Sequence, residues 1–307
     1  MTDVQVSTRE VPWMKIGRLI DEPISAKKAA QLAGIDFTVS LRDLSFSDGK
    51  NPLVRHDIPS RRAIVRDDNE QWLGIASADY EVLQYAEAFD FMDNVSPRYV
   101  AAGSLKNGRQ AFMVVKAPKS YQVPVLNGED PHGWYVVLRT SHDCTRAVEV
   151  SVMALRERCM NQLTLRSFSA DAAMRWSVKH TPSLPGKLEQ AKQALQRLDR
   201  YAASFQNTVE RLANTQVDSD QARAILTRIL PDRPQRDEKI EAIVGLFENA
   251  PTVGYPGTGW GFVNAVSEYY DWYRRGGSPE SRFVAALEGQ TQRAIDKAAT
   301  YVLRTAA

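Results

Sequence analysis

The sequence predicts an α+β fold, in which an antiparallel sheet of hairpins packs with helices and is followed by an α-helical C-terminal region. The first observation is the run Lys106-Asn107-Gly108 between two apolar segments, because Asn-Gly tolerates the positive φ angles of a tight hairpin turn. The second is another pair of apolar segments on either side of residues 142–145. The third is a change after about residue 181, where apolar residues recur every three or four positions, as in a helix.

Capping residues and alternation predict the remaining elements of the first part. Ser25 is a favoured N-cap and precedes an alanine-rich helical pattern. The Asp-Asp-Asn run at 67–69 predicts the turn of a hairpin. Strands are predicted at 37–44, 62–66 and 72–76, and a helix at 85–95. Residues 62–155 therefore follow the order β-β-α-β-β-β-β, whose short turns favour antiparallel neighbours.

The second part is predicted to be helical throughout. Pro182, Pro185 and Gly186 mark the boundary between the two parts. The predicted domains are therefore an antiparallel α+β core at residues 1–181 and a helical C-terminal domain at residues 182–307. The helices are predicted at about 188–212, 219–230, 236–249, 258–275 and 278–304.

Composition and charge limit the compartments and partners. No apolar run approaches the roughly 20 residues of a membrane span, and the N-terminus lacks the pattern of a secretory signal. We therefore expect no membrane partner and a cytoplasmic protein of a bacterial host. Having only two cysteines, Cys144 and Cys159, fits a reducing compartment. Residues 98–187 carry 13 Lys/Arg against 6 Asp/Glu, which favours an anionic ligand unless these charges are simply solvated strand faces.

Several segments, taken in order, resemble a known family. They are Pro12-Trp13 with Gly17, AIVRDDNEQWLGIASADYEVLQ, GSLKNGRQAFMVVKAP, LRTSHD, RERCMNQL, VKHT and GTGWGFVNAVSEYYD. Together they resemble the phage/plasmid-like family, a domain of unknown function common in actinobacterial phages, over nearly the whole chain. The chain departs from that pattern at Met14, Tyr85 and Cys144, where the family has His, Asn and Gly. The resemblance implies a role in DNA metabolism or host takeover, without a defined activity.

The order of the elements is also similar to the core of single-strand annealing proteins of the Redβ and Rad-fifty-two type. Those proteins combine antiparallel hairpins with a helix and then further helices. The likeness is one of arrangement alone. It implies pairing of single strands without ATP by a ring or filament of subunits.

The common catalytic and cofactor motifs are absent from the sequence. There is no G-x-x-x-x-G-K-[ST] phosphate loop, no H-E-x-x-H and no paired C-x-x-C. The acidic residues form no recognisable two-metal nuclease pattern. We therefore expect no cofactor, no metal and no enzymatic activity.

Basic residues of the central strands are the candidate nucleic-acid contacts, because phosphates need distributed cations. The candidates are Lys106, Arg109, Arg139, His142, Arg146, Arg156, Arg158, Arg166 and Lys179. Aromatic residues in the same strands could stack on bases, and these are Tyr99, Phe112, Trp134 and Tyr135. The hypothesis requires the cations to converge on one surface. The alternative is that the arginines are solvated strand ends and the aromatic rings belong to the core.

A polar cluster supports an enzymatic alternative. It comprises His142, Asp143, Cys159, Asn161 and His180. In such an enzyme Cys159 would be the nucleophile and a histidine would be its base. Alternatively, Cys159 is simply a small buried residue, as cysteine commonly is. The glycine run at 254–261 precedes an aromatic helix and is more typical of a loop and close packing than of a phosphate site.

These observations favour a protein that binds single-stranded nucleic acid. The most concrete form is an ATP-independent annealing protein of recombination or replication that works as a homo-oligomer. The alternative is a module that binds and modulates a host protein through the long amphipathic helix and the aromatic helix. An enzyme centred on Cys159 is the third hypothesis.

Overall fold

The computed structural model describes residues 12–94, 96, 98–117, 125–163, 175–178 and 198–305. The strands are β1 (Arg18–Pro23), β2 (Val39–Ser47), β3 (Arg55–Arg66), β4 (Trp72–Ser77), β5 (Arg98–Leu105), β6 (Gln110–Lys116), β7 (His132–Ser141), β8 (Val148–Arg156), β9 (Asn161–Leu163) and β10 (Arg175–Val178). The helices are α1 (Ala26–Leu32), α2 (Tyr85–Asp90), α3 (Leu198–Ala213), α4 (Ser219–Ile229), α5 (Arg236–Asn249), α6 (Gly259–Glu268), α7 (Pro279–Glu288) and α8 (Gln290–Thr305). A π-helical turn, Tyr269–Tyr273, continues α6.

The main sheet has the strand order β1-β5-β6-β7-β8-β10, with β9 paired to β8, and its neighbours are antiparallel. Its two faces lie on different cores. Phe112 and Val114 of β6 pack on the side that α7 covers with Phe283 and Leu287, whereas Met113 packs in the larger core on the other side. Because both faces are covered, every residue of β8 is buried, including Glu149 and Ser151, and the middle of β6 is a continuous apolar run.

The larger core joins the sheet to the C-terminal helices. All ten residues of α6 are buried, and Trp260 and Phe262 of α6 share this core with strand residues such as Val136 and Val152. The predicted α+β class is therefore confirmed. The predicted boundary at residue 181 lies outside the described residues.

A second, smaller sheet has the order β2-β3-β4, also antiparallel. Its inner face is buried through Ile64, Leu73 and Ala76. Gly74 allows β4 to approach the turn after β7, because a Cβ at Gly74 would lie 2.7 Å from the Cα of Asp143. The opposite, outer face of this small sheet is exposed.

The predicted hairpin turns are confirmed. Lys106, Asn107 and Gly108 have φ angles of 51°, 57° and 86°, which is the left-handed region that Asn and Gly adopt most easily. Cys144, in the turn after β7, also has a positive φ of 57°. The Tyr85 hydroxyl donates to the Gly108 carbonyl at 3.0 Å, so α2 supports the tip of the β5–β6 hairpin.

The helices differ from the prediction at two places. The helix predicted at 85–95 ends at Asp90 and continues as a 3₁₀ turn at Phe91–Asn94. The last helix, predicted as one element at 278–304, is broken at Gly289 into α7 and α8. The break packs tightly, since a Cβ at Gly289 would lie 2.6 Å from the Cα of Ala285. The N-cap prediction at Ser25 is confirmed, because its hydroxyl accepts from the Lys28 amide.

Candidate nucleic-acid interface

Arg139 and Arg146 lie in an ion-pair cluster under α7. Arg139 is 1% exposed, and its Nη2 lies 3.0 Å from Glu149 and 2.9 Å from Glu288. Arg146 contacts the same two carboxylates. The four groups therefore form a compact network of two cations and two anions that joins β7 and β8 to the end of α7.

Arg156 lies in a different network on the opposite face of the main sheet. Its side chain is fully buried and its Nε lies 2.8 Å from Asp130. Its Nη1 donates to the Thr252 carbonyl at 2.8 Å, and Asp130 also accepts from the Trp260 indole at 2.8 Å. This network anchors the start of α6 to the C-terminal end of β8.

The expectation that the basic residues converge on one surface is not met for these three arginines. Arg156 pairs with His132 at the start of β7, whereas Arg139 lies seven residues further along that strand, about 23 Å away at the rise of a β-strand. Arg139 and Arg156 are buried and Arg146 is partly buried. All three guanidinium groups are neutralised by carboxylates, so a phosphate would have to displace a carboxylate. Arg166 and Lys179 lie outside the described residues.

The predicted polar cluster is also separated. His142 is buried and stacks on Tyr85 with ring centroids 4.0 Å apart. Asp143 accepts hydrogen bonds from Thr145 in the same turn and from Gln110 at the start of β6. Both residues lie just beyond the C-terminal end of β7.

Cys159 lies near the other end of β7. Burial is the main reason that the pKa of its thiol is raised to about 11, despite the nearby Arg156 guanidinium. Asn161 accepts from the Trp272 indole at 2.9 Å and thereby fixes the π-helical turn. The structure therefore does not bring His142 to Cys159 as a base, and His180 lies outside the described residues.

Two of the predicted cations border the outer face of the small sheet, which combines aromatic, aliphatic and cationic side chains. We define the outer face by Arg42, Arg61, Val65, Trp72 and Ile75, together with Arg109 at the start of β6. Trp72 and Ile75 are 49% and 47% exposed. The Arg109 guanidinium lies 4.9 Å from the centre of the Trp72 ring, a cation–π arrangement. Lys106 is adjacent on the hairpin tip.

The charge of the outer face is positive. Among the described residues, Arg61 and Arg109 have no carboxylate partner in an ion pair, and Arg42 reaches Asp67 only at 4.0 Å. Lys106 is about half-exposed and lies 3.8 Å from Asp143. The Trp72 indole donates to the Gly74 carbonyl at 3.0 Å, so its ring is held by its own strand. The arrangement suits a planar group beside an anion.

A comparison with family models finds a match over most of the chain. The model described as Domain of unknown function (DUF932) covers residues 72–304. The chain belongs to the DUF932 family. A comparison with curated proteins gives no match, and neither does a comparison with solved structures.

The stretch that this DUF932 chain shares with its family begins at Trp72, so it includes Trp72, Ile75 and Arg109 but not Arg42 or Arg61. The described part of the DUF932 chain holds no group of three or more His, Cys, Asp or Glu side chains placed to bind a metal. Its described helices also lack the combination of length and apolar character that crossing a bilayer demands.

Sequence reasoning missed Trp72, Arg61 and Arg42 as site residues of this DUF932 protein. Trp72 was predicted only as part of a strand. Strict alternation would place Trp72 and Ile75, three residues apart, on opposite faces of β4. The register shift between β3 and β4 brings both of them to the outer face, opposite to Leu73 and Ala76, and alternation in the sequence does not show it. The aromatic helix α6 was instead predicted as a contact surface for a host protein. It is buried, and its aromatic rings belong to the core.

Proposed function

We propose that this protein binds single-stranded nucleic acid on the outer face of the small sheet. The observation that carries the proposal is the half-exposed Trp72 ring, fixed by its own strand and flanked by Arg109. A base can stack on such a ring whatever its identity. In a duplex the bases already stack on one another, so this contact favours single strands.

The cations of the outer face supply the second half of the interaction. Arg109 lies beside Trp72, and Arg61 lies further along β3, opposite Ser77. Arg61 and Arg109 carry no carboxylate partner within the described chain, so binding a phosphate costs no internal ion pair. Each phosphate contact releases counterions and makes the affinity depend on salt. Of the basic residues predicted from sequence, Arg109 and Lys106 support this role, and Arg139, Arg146 and Arg156 do not.

The more specific parts of the proposal rest on the motif and arrangement resemblances. They are annealing of complementary strands without ATP, assembly into a homo-oligomer, and action in the cytoplasm of a bacterium that carries a phage or plasmid. Annealing needs no cofactor, because pairing proceeds downhill once two strands are held extended.

The same outer face favours a protein partner as the second candidate. Trp and Arg dominate the binding energy of protein–protein interfaces, and Trp72 and Ile75 form an exposed apolar pair. A host protein would then contact the outer face rather than the long amphipathic helix or the buried aromatic helix.

Fluorescence anisotropy with a labelled oligothymidylate at two salt concentrations tests the first candidate. We expect Trp72→Ala to raise the Kd by about 5- to 150-fold, the value of one stacked base. Arg61→Gln/Arg109→Gln should also weaken binding and reduce its salt dependence.

Two controls match these variants in chemistry but lie elsewhere. Tyr273→Ala removes another exposed aromatic ring, and Arg211→Gln/Arg304→Gln removes two exposed cations. Both should bind as the wild-type protein does. Absence of binding by the wild-type protein would refute the nucleic-acid role and leave the protein partner as the candidate to pursue. Equal binding by Trp72→Ala would refute the outer face as the binding site.

A further inference from the structure

A cavity in the helical region has six cationic side chains and no carboxylate among the described residues of its wall. It has a volume of about 550 Å³ and lies between the end of α4, the start of α5, the π-helical turn and the start of α8. The cationic side chains on its wall are Arg228, Arg233, Arg236, Lys239, Arg293 and Lys297. Its volume is in the range of small-molecule sites.

Most of these cations lack an internal counter-charge. Arg236 pairs with Asp232 at 3.1 Å. In contrast, no described carboxylate forms an ion pair with the other five cations of the wall. The Lys239 ammonium group lies 5.7 Å from the centre of the Tyr270 ring. Four of the six cations are exposed, so the wall presents several like charges to solvent, and an anion bound among them would reduce their mutual repulsion.

Two further features favour binding of an anion in the cavity. The pKa of Lys239 is lowered by burial and then by the positive charges of Arg274 and Arg233, which shows that its surroundings are cationic. The helix α8 begins at the cavity with no acidic side chain in its first turn, so the positive end of its dipole adds to the field.

We propose that this cavity binds an oligophosphate group, such as the triphosphate of a nucleotide. A dense anion of several charges matches a wall of six cations better than a single carboxylate does. The guanidinium groups of Arg233 and Arg293 suit phosphate oxygens because they donate in pairs. Tyr270 is buried beneath Lys239, so the wall recognises phosphates rather than a base. The proposal is independent of the outer face.

Isothermal titration calorimetry at constant ionic strength tests the cavity with tripolyphosphate, ATP and inorganic phosphate as probes. We expect tripolyphosphate and ATP to bind with similar affinity and inorganic phosphate to bind more weakly. Arg233→Gln/Arg293→Gln/Lys297→Gln should lose about 10-fold or more in affinity, because three charged contacts are removed. Arg211→Gln/Arg304→Gln is the control for net charge and should bind as the wild-type protein does.

The results separate the cavity from the outer face. Trp72→Ala should retain full affinity for tripolyphosphate even if it loses oligonucleotide binding. Competition with ATP identifies the source of the phosphates. Displacement of ATP by a 5′-phosphorylated oligonucleotide, but not by its 5′-hydroxyl form, indicates that the cavity binds strand ends. Displacement by neither oligonucleotide indicates that it binds free nucleotides. Either result supports the cavity. Equal affinity of the triple variant and the wild-type protein, or no binding of tripolyphosphate, would overturn it.

Discussion

Arg139 and Arg156 show that burial decides what a basic residue can do. Both were predicted as phosphate contacts because their charge is visible in the sequence. Each is instead paired with a carboxylate, Glu149 or Asp130, inside the folded chain. Removing one partner of such a pair costs more than the pair contributes to stability, because an uncompensated charge remains buried. Their role is therefore to join elements of the fold.

Asp271 is a buried acid whose protonation should affect stability. Burial, with the nearby Glu268 as a further cause, raises its pKa to about 7, although the Gln162 amide donates to it. The folded state therefore retains a proton that the unfolded state loses near pH 4. The free energy of unfolding should consequently fall as the pH rises from about 4 to about 7.

We expect Asp271→Asn to remove this contribution. The variant should be more stable than the wild-type protein near pH 8 by at most about 4 kcal/mol and nearly equal to it near pH 4. Urea unfolding across this pH range measures the difference. A constant difference at all pH values would contradict the assignment.

At the scale of elements, two glycines allow α6 to pack closely against the preceding loop and α8. A Cβ at Gly261 would lie 2.2 Å from the Tyr255 carbonyl oxygen, and a Cβ at Gly259 would lie 2.5 Å from Val302. The glycine run thus serves close packing, as the sequence predicted. Gly245, in α5, has nothing within 4 Å of its missing Cβ.

This contrast gives a paired prediction. Gly261→Ala should lower the free energy of unfolding by about 1 to 3 kcal/mol, because the backbone of the preceding loop must move. Gly245→Ala should raise it by about 0.5 to 1 kcal/mol, because alanine is the better helix former. Chemical denaturation of both variants measures these effects, and a stabilising Gly261→Ala would show that the loop yields freely.

At the scale of the whole molecule, Glu288 connects the C-terminal helices to the main sheet. Although burial opposes it, hydrogen bonds from Arg146 and Arg139 hold the pKa of Glu288 at about 2. The stabilisation is therefore present above the ordinary pKa of a glutamate, near 4.3, and is lost as the pH falls towards 2.

We expect Glu288→Gln to lower the free energy of unfolding by about 3 kcal/mol near neutral pH, because the buried Arg139 and the partly buried Arg146 lose a counter-charge. The deficit should shrink below about pH 4, because Glu288 of the unfolded wild-type protein takes up a proton there while the folded carboxylate stays ionised until the pH approaches 2. Glu248→Gln, an exposed glutamate of α5, is the control and should change stability little. A deficit that does not depend on pH would contradict the ion-pair explanation.

The α+β class, the hairpin turns and most helix positions were predictable because they depend on local patterns. Asn107-Gly108 encodes a turn, Ser25 encodes a cap, and apolar periodicity encodes strand or helix. The strand β10 was not predicted, and the break at Gly289 was missed because one glycine does not end a helix by local propensity alone.

The sequence by itself determined the types of element, their order, the turn chemistry and the excess of basic residues in the central strands. Only the tertiary structure decided which cations remain available. It buries Arg139 and Arg156 against carboxylates distant in sequence. It leaves Arg109 beside a half-exposed Trp72 and Arg61 on the same outer face. The physical reason is that local structure depends on neighbours along the chain, whereas burial and charge pairing depend on which residues the fold brings together.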